Sequence, residues 1–381
     1  MFRIQWINRF LVFGYLLGEY RNYSHQKSSR RILIFLQIFL QTTLNFITVL
    51  YELYILLRGE IIQMNVIYSI FVVTSFATAT MSVVSSISCS DSFISYAESI
   101  NRIYQRFGND TTVSTSLKRL SFVTVFLTLF SIVFAMLRSG TVIIKFLEMN
   151  ADIKPIEYTT VFFSQSLVRL TIFYRNILTF IVIMFIVILS KSFNSLIKSV
   201  QDKLGEVNAM NEDQSYDLII TKEVIQEWLD LYLDLANCCE KVMECFGRQF
   251  LFALVMTIIY YILLSYQICY LNMRNASDQI ITVVIIFYIL YTSLSLVAGQ
   301  WAHNQWKNFH RMLARLYNTL IILDSKEAEM RMIKDFIRVI KRHPLDIKLM
   351  SKVPAGMYIL PTILTLTINY IIVMLQFNNI V

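Results

Sequence analysis

The chain has 381 residues, of which 56% are hydrophobic and only 16% charged, and 9 Gly and 4 Pro are all that punctuate it. That is too apolar for a water-soluble domain or a disordered one, and the long unbroken apolar runs exclude a membrane barrel of alternating strands. A net charge of +8 in such a chain reports on membrane topology before it reports on nucleic acid.

In chain order, the first apolar run, Phe10 to Leu17, is too short to cross a bilayer and lacks a small-residue cleavage pattern. It is expected to lie in the interface or to re-enter. Seven later runs reach the about 20 residues that a span needs: 32–57, 61–88, 121–147, 161–189, 250–271, 279–302 and 357–377. The expected fold class is an all-α integral membrane protein with seven transmembrane helices. Its parts are a cytoplasmic segment 1–31, spans one to four within 32–189, and an amphipathic cytoplasmic region 190–249. Spans five and six follow within 250–302, then cytoplasmic helices at 303–356, then the last span and a short external tail at 357–381.

Lys and Arg set the orientation. The N-terminal segment carries six and the connections 89–120, 190–249 and 303–356 carry four, six and eleven, so 27 lie on one side against 4 on the other. Cytoplasmic loops hold the excess of Lys and Arg, so the N-terminus is expected in the cytoplasm and the C-terminus outside. A G-protein-coupled receptor is oriented the other way and needs a cytoplasmic tail, so no G protein partner is expected.

Between the spans, Ile225, Trp228, Tyr232, Leu235, Cys239, Val242 and Phe246 recur at steps of 3 and 4, the seam of an amphipathic helix. No Gly or Pro interrupts 206–246, so the helix is expected to run on into the fifth span. Phe309, Leu313, Leu316, Leu320 and Leu323 repeat the pattern after the sixth, and Ile333, Phe336 and Ile340 form another apolar face. Such a seam packs either within one chain or between subunits. Region 190–249 has 11 acids against 6 bases and region 303–356 has 5 against 11, so the two blocks are expected to attract each other.

Chemistry is scarce. No zincin, nucleophile-elbow or P-loop pattern occurs, and five cysteines without a CxxC pair suggest neither a disulfide framework nor zinc. His303 and His310 have no completing ligands, so neither an enzyme, a metal nor a cofactor is expected. Three arginines lie inside spans: Arg138, Arg169 and Arg175. Each costs about 2.5–3.5 kcal/mol near a bilayer centre and is a functional candidate by default. Arg138 and Arg169 are expected about 12–14 Å below the outer surface, with Tyr288 at similar depth and Glu52 nearer the surface. The arginines either line an outward-facing ligand pocket or are structural, snorkelling or held in an ion pair. Arg175 points about 120° away from Arg169 on an ideal helix.

The last span ends Asn369-Tyr370, five apolar residues, Gln376-Phe377. Tyr370, Val373 and Phe377 fall at steps of 3 and 4 on one helical face, with Gln376 beside it. Around a symmetry axis that face makes an apolar ring, which gates by dewetting, with an amide ring next to it. This ending resembles the hallmark of the insect gustatory receptors, with Asn369 in place of their Thr; His343-Pro344 and Ala355-Gly356-Met357-Tyr358 are similar to the family's approach to its last span. The resemblance implies a tetrameric, tastant-gated cation channel, homomeric or mixed with other gustatory receptors, in the plasma membrane of sensory neurons; a bitter or aversive ligand is favoured only because the chain does not match the family's distinct sugar and carbon-dioxide subgroups. It implies a pore lined by Tyr370, Val373, Gln376 and Phe377 with Val373 at the gate. It also turns the seam residues Ile225, Trp228, Tyr232, Leu235, Phe336 and Ile340 toward contacts between subunits. The alternative class, a transporter or scramblase, should show inverted repeats or Gly/Pro-broken helices, and the sequence has neither.

Overall fold

A computed structural model describes residues 2–58, 62–107, 110–149, 155–210, 220–270, 276–322, 327–349 and 353–377. Within them run α1 (Gln5–Leu16), α2 (Ser28–Arg58), α3 (Ile62–Ser88), α4 (Ser90–Phe107), α5 (Thr111–Met149), α6 (Pro155–Met210), α7 (Lys222–Tyr270), α8 (Ala276–Ile322), α9 (Glu327–Arg342) and α10 (Ile359–Phe377). Two-residue strands β1 (Lys348–Leu349) and β2 (Val353–Pro354) pair antiparallel between α9 and α10. The seven expected spans fall in α2, α3, α5, α6, α7, α8 and α10, so the fold is the all-helical one that the composition predicts.

Three helices are far longer than a bilayer is thick. α6, α7 and α8 have 56, 49 and 47 residues, about 70–85 Å at 1.5 Å per residue against a hydrocarbon core of ~30 Å. Pro155 opens α6, where its missing N–H costs nothing. Thr221 caps α7 by accepting from the Val224 N–H at 3.4 Å. With no Gly or Pro in the expected stretch, α7 carries the amphipathic seam directly into the fifth span.

α6 forms the centre. From Val168 to Leu189 it is buried almost all round, the mark of a helix enclosed by others, and α2, α3, α5, α7 and α8 pack against it. α2 and α5 instead present Leu33, Phe39, Leu44, Phe122, Phe126 and Leu129 outward, as a lipid-facing surface does.

The short N-terminal run folds back on the bundle. α1 lies antiparallel along α6: Phe2 stacks on Phe185 at 6.2 Å, Phe10 on Tyr174 at 4.8 Å, and Thr171 Oγ1 donates to Leu17 O at 3.4 Å. Gly14 lets α1 come close, because a Cβ there would overlap the Tyr174 phenol. At Gly18 (φ +83°) the chain reverses, a left-handed conformation that glycine adopts without steric penalty. Ser24 N–H then bonds Ser90 Oγ at 3.1 Å on the way back to α2.

The 89–120 connection holds a helix that its polar composition hid. α4 buries Phe93, Tyr96, Ile100, Ile103 and Phe107, again at steps of 3 and 4, and packs against α7. Arg102 meets Asp234 at 2.9 Å, Arg106 meets Glu227 at 2.9 Å, and Ser92 donates to Glu244 at 2.6 Å. These α7 acids are therefore paired with α4, and the expected attraction to the basic 303–356 block is not what engages them.

Candidate functional site

α10 follows a stapled linker. Asp346 Oδ1 lies 2.6 Å from His303 Nδ1 on α8, and Ala355 N–H donates to Ile347 O at 2.5 Å. A Cβ on Gly299 of α8 would sit 2.6 Å from Ala355 O, so only glycine admits the linker this close. From there α10 docks on the bundle along one line, Ile363 at 4% and Thr367 at 3% exposure, while Tyr370 at 54%, Val373 at 44% and Gln376 remain open. The side chain of Phe377 lies outside the described residues. The predicted gate residues are thus on a helix whose remaining surface no other part of the same chain covers, among the described residues.

The intramembrane arginines divide between two faces of α6. Arg169 is fully enclosed at 0% exposure and points at α5: its Nη1 donates to Ser139 Oγ at 2.9 Å. Ser166 Oγ donates to the same oxygen at 2.8 Å, and Ser139 donates on to Ala135 O at 2.9 Å. Nε and Nη2 of Arg169 meet no hydrogen-bond partner among the described residues. Arg175, also buried, faces the other way into a small cavity with Thr78, Asn176, Thr257 and Thr292, and Nη2 donates to Asn176 Oδ1 at 3.2 Å. The expected separation of Arg169 from Arg175 therefore holds. Ser139 follows Arg138, so α5 and α6 bring residues 138 and 169 alongside one another; the side chains of Arg138, Tyr288 and Glu52 lie outside the described residues.

Sequence reasoning missed Tyr291, three positions beyond Tyr288. Its ring packs 4.8 Å from Phe173 and its hydroxyl lies 2.6 Å from Ser131 Oγ and donates to Leu127 O at 2.9 Å. It also missed a buried ion pair. Glu19 and Arg21, beyond the α1 turn, lie 3.4 Å apart and sealed; Ser82 Oγ donates to Glu19, and the Arg21 guanidinium sits 4.5 Å from the Phe246 ring centroid. Arg21 is one of the six basic residues that read as cytoplasmic charge, because no local signal marks a chain that turns back into the bundle.

The α7 seam is closed within one chain. Ile225, Trp228, Tyr232, Leu235, Phe336 and Ile340 are all buried. Tyr232 sits between Phe309 at 5.5 Å and Phe336 at 5.8 Å, and its hydroxyl donates to His343 O at 2.6 Å. Trp306 Nε1 donates to Ile340 O at 3.1 Å. These six residues thus pack in cis, correcting the expectation that they meet another subunit: the helices α6 to α9 satisfy each other's apolar faces first. Acidic first and basic last turns of α9 (Glu327 and Glu329; Lys341 and Arg342) suit its dipole.

Among the described residues no group of three His, Cys, Asp or Glu is placed to hold a metal. No curated protein matches the sequence. The fold is similar to that of two solved structures of the insect olfactory receptor OR5 from Machilis hrabei. The one in complex with eugenol has 15% identity and a TM-score of 0.67, the other 16% and 0.68, and each alignment covers 98% of both chains. The 7tm Chemosensory receptor family model matches residues 62–379, and with that match over most of its length, this all-helical membrane chain belongs to the 7tm chemosensory receptor family, a family of receptors and not of enzymes.

Proposed function

We propose that the chain is a gustatory receptor: a tastant-gated, non-selective cation channel of four copies, homomeric or mixed with other gustatory receptors. It sits in the plasma membrane of sensory neurons with its N-terminus in the cytoplasm. The observation that carries this reading is α10, held to its own chain along a single line and bare at Tyr370, Val373 and Gln376. Four such helices about one axis place an apolar ring at Val373 beside an amide ring at Gln376, with Phe377 next to it, and a narrow apolar ring gates by dewetting. Tyr370 and the Gln376-Phe377 pair favour taste over smell. Because the seam residues are used in cis, subunit contacts fall to other faces of the cytoplasmic helices.

The ligand pocket is assigned to the outer half of α5, α6 and α8, around Arg138, Arg169 and Tyr288. The Machilis hrabei receptor solved with eugenol supports a small organic ligand, and an aversive tastant fits the reading. Expression in a heterologous cell with patch recording under a tastant panel tests it. Unitary current steps on tastant application are the expected result; solute uptake without such steps overturns it in favour of a transporter.

A further inference from the structure

Arg169, assigned to that pocket, is held in a way that selects its partner. A guanidinium offers five N–H donors in a rigid plane. Ser139 takes Nη1 at 2.9 Å, and Ser166 bonds to Ser139 behind it, so the plane is fixed from one side. The two nitrogens left over, Nε and Nη2, are those of one edge of the group. Their N–H bonds point the same way at the spacing of two carboxylate oxygens, the fork that makes arginine a bidentate reader of planar oxyanions. No carboxylate of the described residues forms an ion pair with Arg169, which is enclosed at 0% exposure. A buried cation with two idle donors is expensive, and an anion brought from outside relieves the cost.

The surroundings narrow the class. One helical turn from Arg169 on α6 is Phe173, and one turn from Ser139 on α5 is Ala135, next to Phe134. Phe134 packs on Phe287 at 4.5 Å and on Phe173 at 6.1 Å. One turn along α6 and α5 from Arg169 and Ser139 the packing is therefore aromatic, an apolar neighbourhood for the body of an occupant bonded to the fork. Arg169 by itself balances a single negative charge; a phosphate monoester, with about two at neutral pH, carries one more than this guanidinium balances. Chloride carries one charge but has no pair of acceptors to span the fork.

We propose that this receptor recognises monocarboxylic acids with an apolar body, in ionised form, through the Nε–Nη2 edge of Arg169, with Ser139 and Ser166 as positioning residues. The proposal rests on the pocket reading above. Its test compares benzoate with methyl benzoate, and hexanoate with methyl hexanoate, at neutral pH on the full-length receptor. The acids should be more potent than their esters by about 10–100-fold, the value of hydrogen bonds to a charged group. Arg169→Gln should abolish the difference in potency between acid and ester, and Arg169→Lys should restore only part of it, since an ammonium lacks the fork. Equal potency of acid and ester at the intact receptor overturns the proposal without any variant. So does an equal loss of both responses in Arg169→Gln, which would make the arginine structural. A second arm reads the melting midpoint of purified receptor with benzoate against sodium chloride at equal ionic strength; the same shift from chloride overturns carboxylate recognition. A benzoate-specific melting shift without any current keeps the site and sinks the channel reading, whereas currents to other tastants without acid preference do the reverse.

Discussion

Val373 is the residue on which the pore reading turns. If four copies face one axis, replacing each with a hydroxyl or amide lowers the cost of wetting the closed constriction. Val373→Ser or Val373→Asn should therefore pass current without ligand, whereas Gln376→Ala, which removes an amide and leaves the apolar barrier, should change ion preference and not the leak. Recording basal current and reversal potentials in the three variants separates the roles. A quieter residue test sits in the α7 seam. Tyr232→Phe keeps the ring between Phe309 and Phe336 but strips the His343 carbonyl of its donor, a loss of about 1–2 kcal/mol for a part-buried acceptor. Tyr232→Ala also opens a cavity and should cost about 3–5 kcal/mol. The order of melting midpoints, wild type above Phe above Ala, checks this without reference to gating. At Gly14 a single methyl overlaps the Tyr174 phenol, so Gly14→Ala should expose α1 to protease, and adding Tyr174→Ala should give less than the sum of the two losses.

At the scale of elements, α4 is the helix most usefully disturbed from outside. Arg102 and Asp234 are partly exposed, so their bond is worth no more than about 1 kcal/mol. Arg102→Asp or Asp234→Arg alone should lower the melting midpoint slightly, and the charge-swapped double variant should recover it. Additive losses would show that α4 is held by its buried Phe93, Tyr96 and Ile100 alone. α4 also marks the limit of what the sequence made legible. The seven spans stood out because twenty apolar residues without a breaker have few alternatives. α4 carried the same 3-and-4 spacing as the α7 seam, yet its stripe was hidden in a polar connection between two spans. The seam itself was legible, and its partner was not: an amphipathic stripe says that something covers it, and only the course of α6 to α9 says that the chain covers it itself. For Arg169 the intramembrane charge itself was legible from its place in an apolar run. The free edge depends on Ser139, thirty positions earlier, and no local pattern reveals which nitrogens a distant hydroxyl takes.

For the whole molecule, the uneven spread of Lys and Arg predicts that a tag beyond the last span is stained on intact cells and that one at the N-terminus is not. An N-terminal tag accessible without permeabilisation would reverse the orientation and with it the outward opening of the pocket. The seat of α1 bears on how such a protein is made. Phe10 and Tyr174 lie roughly 160 positions apart, a distant contact that cannot form until both are in place. At about 5–20 residues per second, the N-terminal helix waits some ten to thirty seconds between its own synthesis and that of the helix that receives it. During that interval Glu19 and Arg21 remain hydrated, and three or more spans enter the bilayer around an empty slot. Docking of α1 is thus a late step of biogenesis and not the first, and damage to it should appear as receptors retained and degraded on the way to the surface, while those that arrive conduct normally.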